Sequence, residues 1–146
     1  MKKILLLLTV AITVISCEGP MGPQGPMGPQ GQGSETDWNI QDFEVRTGDW
    51  IYKSDGGLNG YYSYSFSFPK LSEFIYNNGI VLAYLESSST SQQMLPVVFH
   101  QENGTDQWTT TTDYDYEIGK ITFYVTVSDF FNQRPETMLF RTVLLW

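Results

Sequence analysis

The stretch Tyr62-Ser63-Tyr64-Ser65-Phe66-Ser67-Phe68 alternates an aromatic ring with a serine at every step. Successive side chains of an extended chain point to opposite faces, so four rings share one face and three hydroxyls the other. A helix would scatter the same rings around its circumference. Ile121, Phe123, Val125 and Val127 alternate with Thr122, Tyr124, Thr126 and Ser128 in the same way. Two such strands, each with one greasy face, need a second layer to cover them.

Working outward, six more segments read as strands: Trp38–Arg46, Asp49–Lys53, Ile80–Glu86, Leu95–His100, Gln107–Tyr116 and Thr137–Trp146. Turn chemistry separates them: Asp55-Gly56-Gly57 with Asn59-Gly60, Asn77-Asn78-Gly79, Asn103-Gly104 and Ile118-Gly119-Lys120. Pro96 lacks an amide donor, which predicts an edge or bulged strand at Leu95–His100. The serine cluster Ser87-Ser88-Ser89, with Thr90 and Ser91, reads as a polar loop. Lys70–Tyr76 reads as a single short helix with Leu71, Phe74 and Ile75 on its buried face. The prediction for residues 35–146 is an all-β domain, a β-sandwich of about 7–8 strands with one short helix. A membrane-spanning barrel does not fit, because the run at Tyr52–Gly60 is too polar and turn-rich for a lipid-facing strand.

Residues 1–16 read as a lipoprotein signal peptide. Lys2 and Lys3 supply positive charge, and Ile4–Ile15 supply an apolar stretch shorter than the roughly 20 residues of a membrane-spanning helix. The stretch closes on Val14-Ile15-Ser16-Cys17, which resembles a bacterial lipobox. Cys17 is the chain's single cysteine and stands where lipidation needs a free thiol after a small residue. Two or three acyl chains, each contributing about 0.8 kcal/mol per buried methylene, would hold the mature protein on a membrane.

Residues 17–34 carry glycine at 19, 22, 25, 28 and 31, with proline after the first four. The triplets favour polyproline II, and glycine at every third position is also what a collagen triple helix demands. Five triplets, with Gly33 out of register, favour a semi-stiff spacer over a trimer. Extended at about 3.1 Å per residue, this stalk reaches some 55 Å.

Composition narrows the function. The chain carries 8 basic and 16 acidic residues, a net charge of −8; loss of Lys2 and Lys3 would make it −10. Such a surface repels phosphate backbones, so nucleic acid is not an expected partner. One histidine, His100, and one cysteine supply neither a His-pair metal site nor a CxxC motif. A Ser-His-Asp arrangement would have to use His100, and no serine sits in a G-x-S-x-G setting. Asp113, Asp115 and Glu117 alternate with Tyr114 and Tyr116, so the three carboxylates share one strand face, with neighbours about 6.5–7 Å apart. That is the only weak metal candidate, short of the six or more oxygens calcium takes, and a weaker glycosidase pair. No cofactor is expected. Among 22 aromatics, including Trp38, Trp50, Trp108 and Trp146, most belong to a core, and Tyr61, Tyr114 and Tyr116 are expected to face a ligand.

The lipobox, the Glu-Gly-Pro-Met-Gly-Pro-Gln repeat and an acidic Trp/Tyr-rich β-domain together resemble the small collagen-like-repeat lipoproteins of Bacteroides-type Gram-negative bacteria. Cys17, the repeat Gly19–Gly31, Thr36-Asp37-Trp38, Phe74–Gly79 and the ending Phe140–Trp146 carry the likeness. The resemblance implies an outer-membrane location, a membrane partnership through acyl groups on Cys17, and no catalytic residues. With only Glu18 acidic after the cysteine, it leaves the face of the membrane open. The expected function is therefore a non-enzymatic binding or structural domain held off the membrane by a collagen-like spacer, with an envelope protein as partner; the alternative is a carbohydrate-binding module using exposed aromatics.

Overall fold

The computed structural model describes residues 36–54, 60–129 and 133–146. The expected signal peptide, Cys17, the stalk and the turn at Asp55–Asn59 lie outside them. Among the described residues there are nine strands and one helix. The strands are β1 (Trp38–Val45), β2 (Ile51–Ser54), β3 (Gly60–Ser67), β4 (Ile80–Ser88), β5 (Ser91–Met94), β6 (Val97–Asn103), β7 (Asp106–Glu117), β8 (Lys120–Val127) and β9 (Met138–Leu145). The helix, α1, is Glu73–Asn78.

They form two antiparallel sheets, one in the order β1-β9-β4-β5 and the other in the order β2-β3-β8-β7-β6. The chain crosses between sheets four times: after β1, through α1 after β3, at Pro96 after β5, and after β8. The fold is all-β and sandwich-like, as the alternating stretches predict.

Tyr62, Tyr64 and Phe66 do share the inner face of β3, and Ile121, Phe123 and Val125 that of β8. Facing them across the core are Phe43 and Val45 of β1, Val81, Ala83 and Leu85 of β4, and Phe140 and Leu144 of β9. Ring contacts join the layers. Phe123 stacks on Phe140 with centroids 4.0 Å apart, and Phe43 lies 4.7 Å from Phe66 and 5.3 Å, edge-on, from Phe68. Tyr114 adds a hydrogen bond across the core, donating to Val81 O at 2.9 Å.

Three details differ from the sequence reading. The polar Ser87–Ser91 run is a turn only at Ser89-Thr90: β4 extends to Ser88, and Ser91–Met94 pairs back on it as β5. This edge strand buries no full side chain, so it has no hydrophobic period to detect. The helix begins later than Lys70, because the Ser72 hydroxyl accepts the Ile75 amide at 3.3 Å and caps it at that point. Phe74 faces solvent, 61% exposed, while Leu71 and Ile75 are buried; residues 74 and 75 lie about 100° apart on a helix, and one turn turns only one of them inward. Pro96 falls at the crossing that leads into β6, which is an edge strand as expected.

Candidate functional site

Strand alternation decides which side chains of β7 meet solvent. Asp113, Asp115 and Glu117 share the outer face, and Thr112, Tyr114 and Tyr116 the inner one. Two of the three tyrosines expected to face a ligand therefore face the core. Tyr114 is held there by its bond to Val81 O, and Tyr116 packs edge-on against Tyr76 at 5.8 Å. Outward orientation of the carboxylates on alternate positions forces the tyrosines between them inward.

Tyr61 does lie on the outer face. It sits 5.8 Å from the Tyr124 ring, and the two border a shallow depression of about 480 Å³ with Pro96, Asp113, Asp115 and Thr126. The Tyr124 hydroxyl donates to Asp115 Oδ2 at 2.6 Å. Burial and that neighbouring carboxylate push the Tyr124 hydroxyl up to about 12. Burial, then the like charge of Asp115, pushes the Asp113 carboxyl above the usual range. Glu117 pairs instead with Lys120 at 2.9 Å across the hairpin. Asp115 and Glu117 thus have separate partners, and among the described residues no group of three His, Cys, Asp or Glu side chains is arranged to hold a metal ion.

A deeper feature opens between the sheets. Strands β6 and β7 have seven and twelve residues, while the opposing edge strand β5 has four. Part of the inner face of the β6–β7 hairpin consequently has no strand above it. The result is a cleft of about 600 Å³ lined by Phe99, Gln101, Trp108, Thr110, Thr112, Val125 and Val127 on one side. Leu85, Glu86 and residues 133–138 form the other. That second wall is pinned from below. Trp50, 1% exposed, donates its indole N–H to Glu136 O at 3.1 Å, and Arg134 donates to Gly48 O at 3.3 Å.

The cleft offers an aromatic floor and a few polar side chains. Thr110 donates to Gln101 Oε1 at 2.7 Å, fixing both on one wall. Thr112 is fully buried at the base of the cleft. Trp108 is half-buried and also borders the two depressions beside the cleft.

No family model matches this chain, and no curated protein or solved structure is significantly similar to it. Residue roles therefore rest on geometry.

His100 is exposed on edge strand β6, bordering a depression of about 540 Å³ that also holds Glu102, Trp108 and Ser128. Ser128 is already engaged, its hydroxyl accepting the Thr109 amide at 2.8 Å. Of the four tryptophans, Trp50 is core, Trp146 packs against the core and Trp38 lies out on β1. Trp108 is the one placed in a cleft. Its sequence neighbourhood, Gln107-Trp108 before Thr109–Thr112, distinguishes it by a run of threonines, but the uncovered inner face arises only from unequal strand lengths in opposite sheets.

Proposed function

We propose that this protein is a lipid-anchored outer-membrane lipoprotein whose β-domain is a non-enzymatic binding module. Anchoring rests on the lipobox at Cys17, the collagen-like spacer and the resemblance to collagen-like-repeat lipoproteins. The binding role rests on one observation above others: the inter-sheet cleft of about 600 Å³ whose lining includes Trp108 and Phe99 together with the Thr110 and Gln101 side chains. Ligand clefts of this size are typically apolar with a few polar groups that fix orientation.

Carbohydrate is the ligand class that suits this combination best. A sugar presents an apolar ring face to an indole and hydroxyls to threonine and glutamine side chains. The outer-face pair Tyr61 and Tyr124, beside Asp113 and Asp115, is the competing location for the same chemistry. The test uses the mature chain with Cys17→Ser, which cannot be lipidated, on a glycan array and in polysaccharide retardation gels. Trp108→Ala is expected to weaken binding at least tenfold, a loss of about 1.4 kcal/mol, with Tyr61→Ala unchanged. The reverse pattern would move the site to the outer face. Absence of binding to every glycan would refute the carbohydrate reading and leave protein capture. Anchoring is checked separately by incorporation of labelled palmitate, which Cys17→Ala must abolish.

A further inference from the structure

The chain holds three Asn-Gly dipeptides, Asn59-Gly60, Asn78-Gly79 and Asn103-Gly104. Glycine presents its backbone amide with no side chain in the way, so each dipeptide is open to attack of that amide on the asparagine side chain before it. Local sequence ranks the three alike. Asn59 lies outside the described residues, and the fold separates the other two. Both Asn78 and Asn103 are exposed, so access to water does not tell them apart. Hydrogen bonding does.

At Asn78 both reacting groups are held. Its side-chain amide donates to Phe74 O at 2.9 Å, and the Gly79 amide donates to Ile75 O at 2.8 Å. Gly79 is also hemmed in by backbone, since the position a Cβ would take lies 2.6 Å from Leu145 O. Ring closure there has to break the last turn of α1 and shift packed main chain, which requires local opening.

At Asn103 neither group is held. It ends β6 and pairs with Asp106 across a two-residue turn. Its carbonyl accepts the Thr105 amide at 2.8 Å. Its side chain makes no hydrogen bond with the described residues, and the Gly104 amide has no acceptor among them. Gly104 stands at φ 66°, with nothing within 4 Å of where a Cβ would be. The turn can therefore move without meeting another part of the fold.

We infer that Asn103 is a site of spontaneous covalent modification, at which the β6–β7 turn deamidates through a succinimide while the fold spares Asn78. The Gly104 nitrogen attacks Asn103 Cγ and gives up its proton to water. A nitrogen–carbon bond forms, the Cγ–Nδ2 bond breaks, and the side-chain nitrogen leaves as ammonia after taking a proton back from water. Water then opens the ring. Addition at Cγ gives aspartate; addition at the Asn103 main-chain carbonyl gives isoaspartate, whose backbone runs through the side-chain carbon. No electrons are exchanged, and water is the one co-reactant.

Either product adds a negative charge at the position paired with Asp106, and like charges directly opposite each other weaken a strand pair. Isoaspartate also lengthens the main chain by one carbon within a two-residue turn. Asn103, Asp106 and Asp129 border one depression together with Trp108. The tip of the hairpin that bears Trp108 thus changes in charge and in covalent path as the protein ages.

The experiment is peptide mapping by mass spectrometry of the mature Cys17→Ser chain, incubated at neutral pH either folded or in concentrated guanidinium chloride, with isoaspartate scored by enzymatic methylation. In denaturant the two dipeptides should convert at similar rates. In the folded chain Asn103 is expected to keep most of that rate, and Asn78 to slow by about tenfold or more because its reaction waits on opening of α1. Asn103→Ser, at an exposed position, should remove the modification at the turn and leave Asn78 unchanged. An Asn103 that slows on folding as much as Asn78 does, or an Asn78 that converts in the folded chain as fast as Asn103, would overturn the inference. Ligand binding does not enter this readout, so it fails separately from the proposed function.

Discussion

The Tyr114 hydroxyl closes a gap that the sheet itself cannot. Leu95 donates its amide to Ala83 O at 2.9 Å on the β5 side of β4. Alternate carbonyls of a strand point the same way, so Val81 O faces that side too, beyond where pairing with β5 ends at Tyr84 and Met94. It is met there by Tyr114 from the opposite sheet at 2.9 Å. Tyr114→Phe removes the donor, keeps the ring, and leaves a partly buried carbonyl unpartnered. The cost of such an orphan is about 1–2 kcal/mol. Urea unfolding of a domain this size has a slope of about 1.3 kcal/mol/M, so the midpoint should fall by about 1 M with the slope unchanged. Tyr116→Phe is the internal control. Its ring stacks beside Tyr114 at 6.3 Å, and its contacts are made by the ring rather than the hydroxyl, so a shift below about 0.3 M is expected. Equal midpoints for the two variants would refute the argument that the sheets are stitched at Val81.

Three other expectations follow from close contacts and charge. A methyl group at Gly79 would stand 2.6 Å from Leu145 O and 2.8 Å from Ile75 O, both backbone atoms; Gly79→Ala should therefore cost about 2 kcal/mol or more in the same assay. The folded-state pKa of Asp113 is raised, first by burial, so ionising it costs more in the fold than in the unfolded chain. Stability is lost as pH rises from the unfolded value of about 3.9 through the folded one, and Asp113→Asn should stabilise by on the order of 0.5 kcal/mol at pH 7 and by nothing at pH 3. Asp42 runs the other way. Its hydrogen bonds from Arg141 hold the carboxyl below its usual range, so its contribution is present at neutral pH and lost as pH falls through the folded value. Asp42→Asn should cost on the order of 0.5 kcal/mol in melts at pH 7, with the difference gone near pH 2.

Most strands were legible because their signal is local. Tyr62–Phe68 and Ile121–Ser128 each declare a buried face by alternation, and Gly104 and Gly119 mark hairpin turns with φ of 66° and 77° that other residues rarely adopt. The two-residue hairpin at Ile118-Gly119 then serves a non-local purpose: Gly119 donates to Leu71 O and accepts from Phe68, tying the connection into α1 to the β7–β8 turn. β5 escaped notice because a short edge strand is defined by backbone pairing, and pairing leaves no hydrophobic period behind.

By itself, the sequence determined the all-β class, most strand boundaries, and that the three β7 carboxylates share one face, since period-two alternation is a property of consecutive residues; that this face is the outer one, with Tyr114 and Tyr116 turned inward, was decided by the packing of the two sheets. The stretch Val14–Cys17 that resembles a lipobox and the glycine period are contiguous too, and legible without the fold. Which sheet each strand joined was decided only in three dimensions, by packing of residues far apart in the chain such as Phe123 against Phe140 and Tyr114 against Val81. The cleft at Trp108 belongs to that second category. It arises from unequal strand lengths across the core, which no single segment contains.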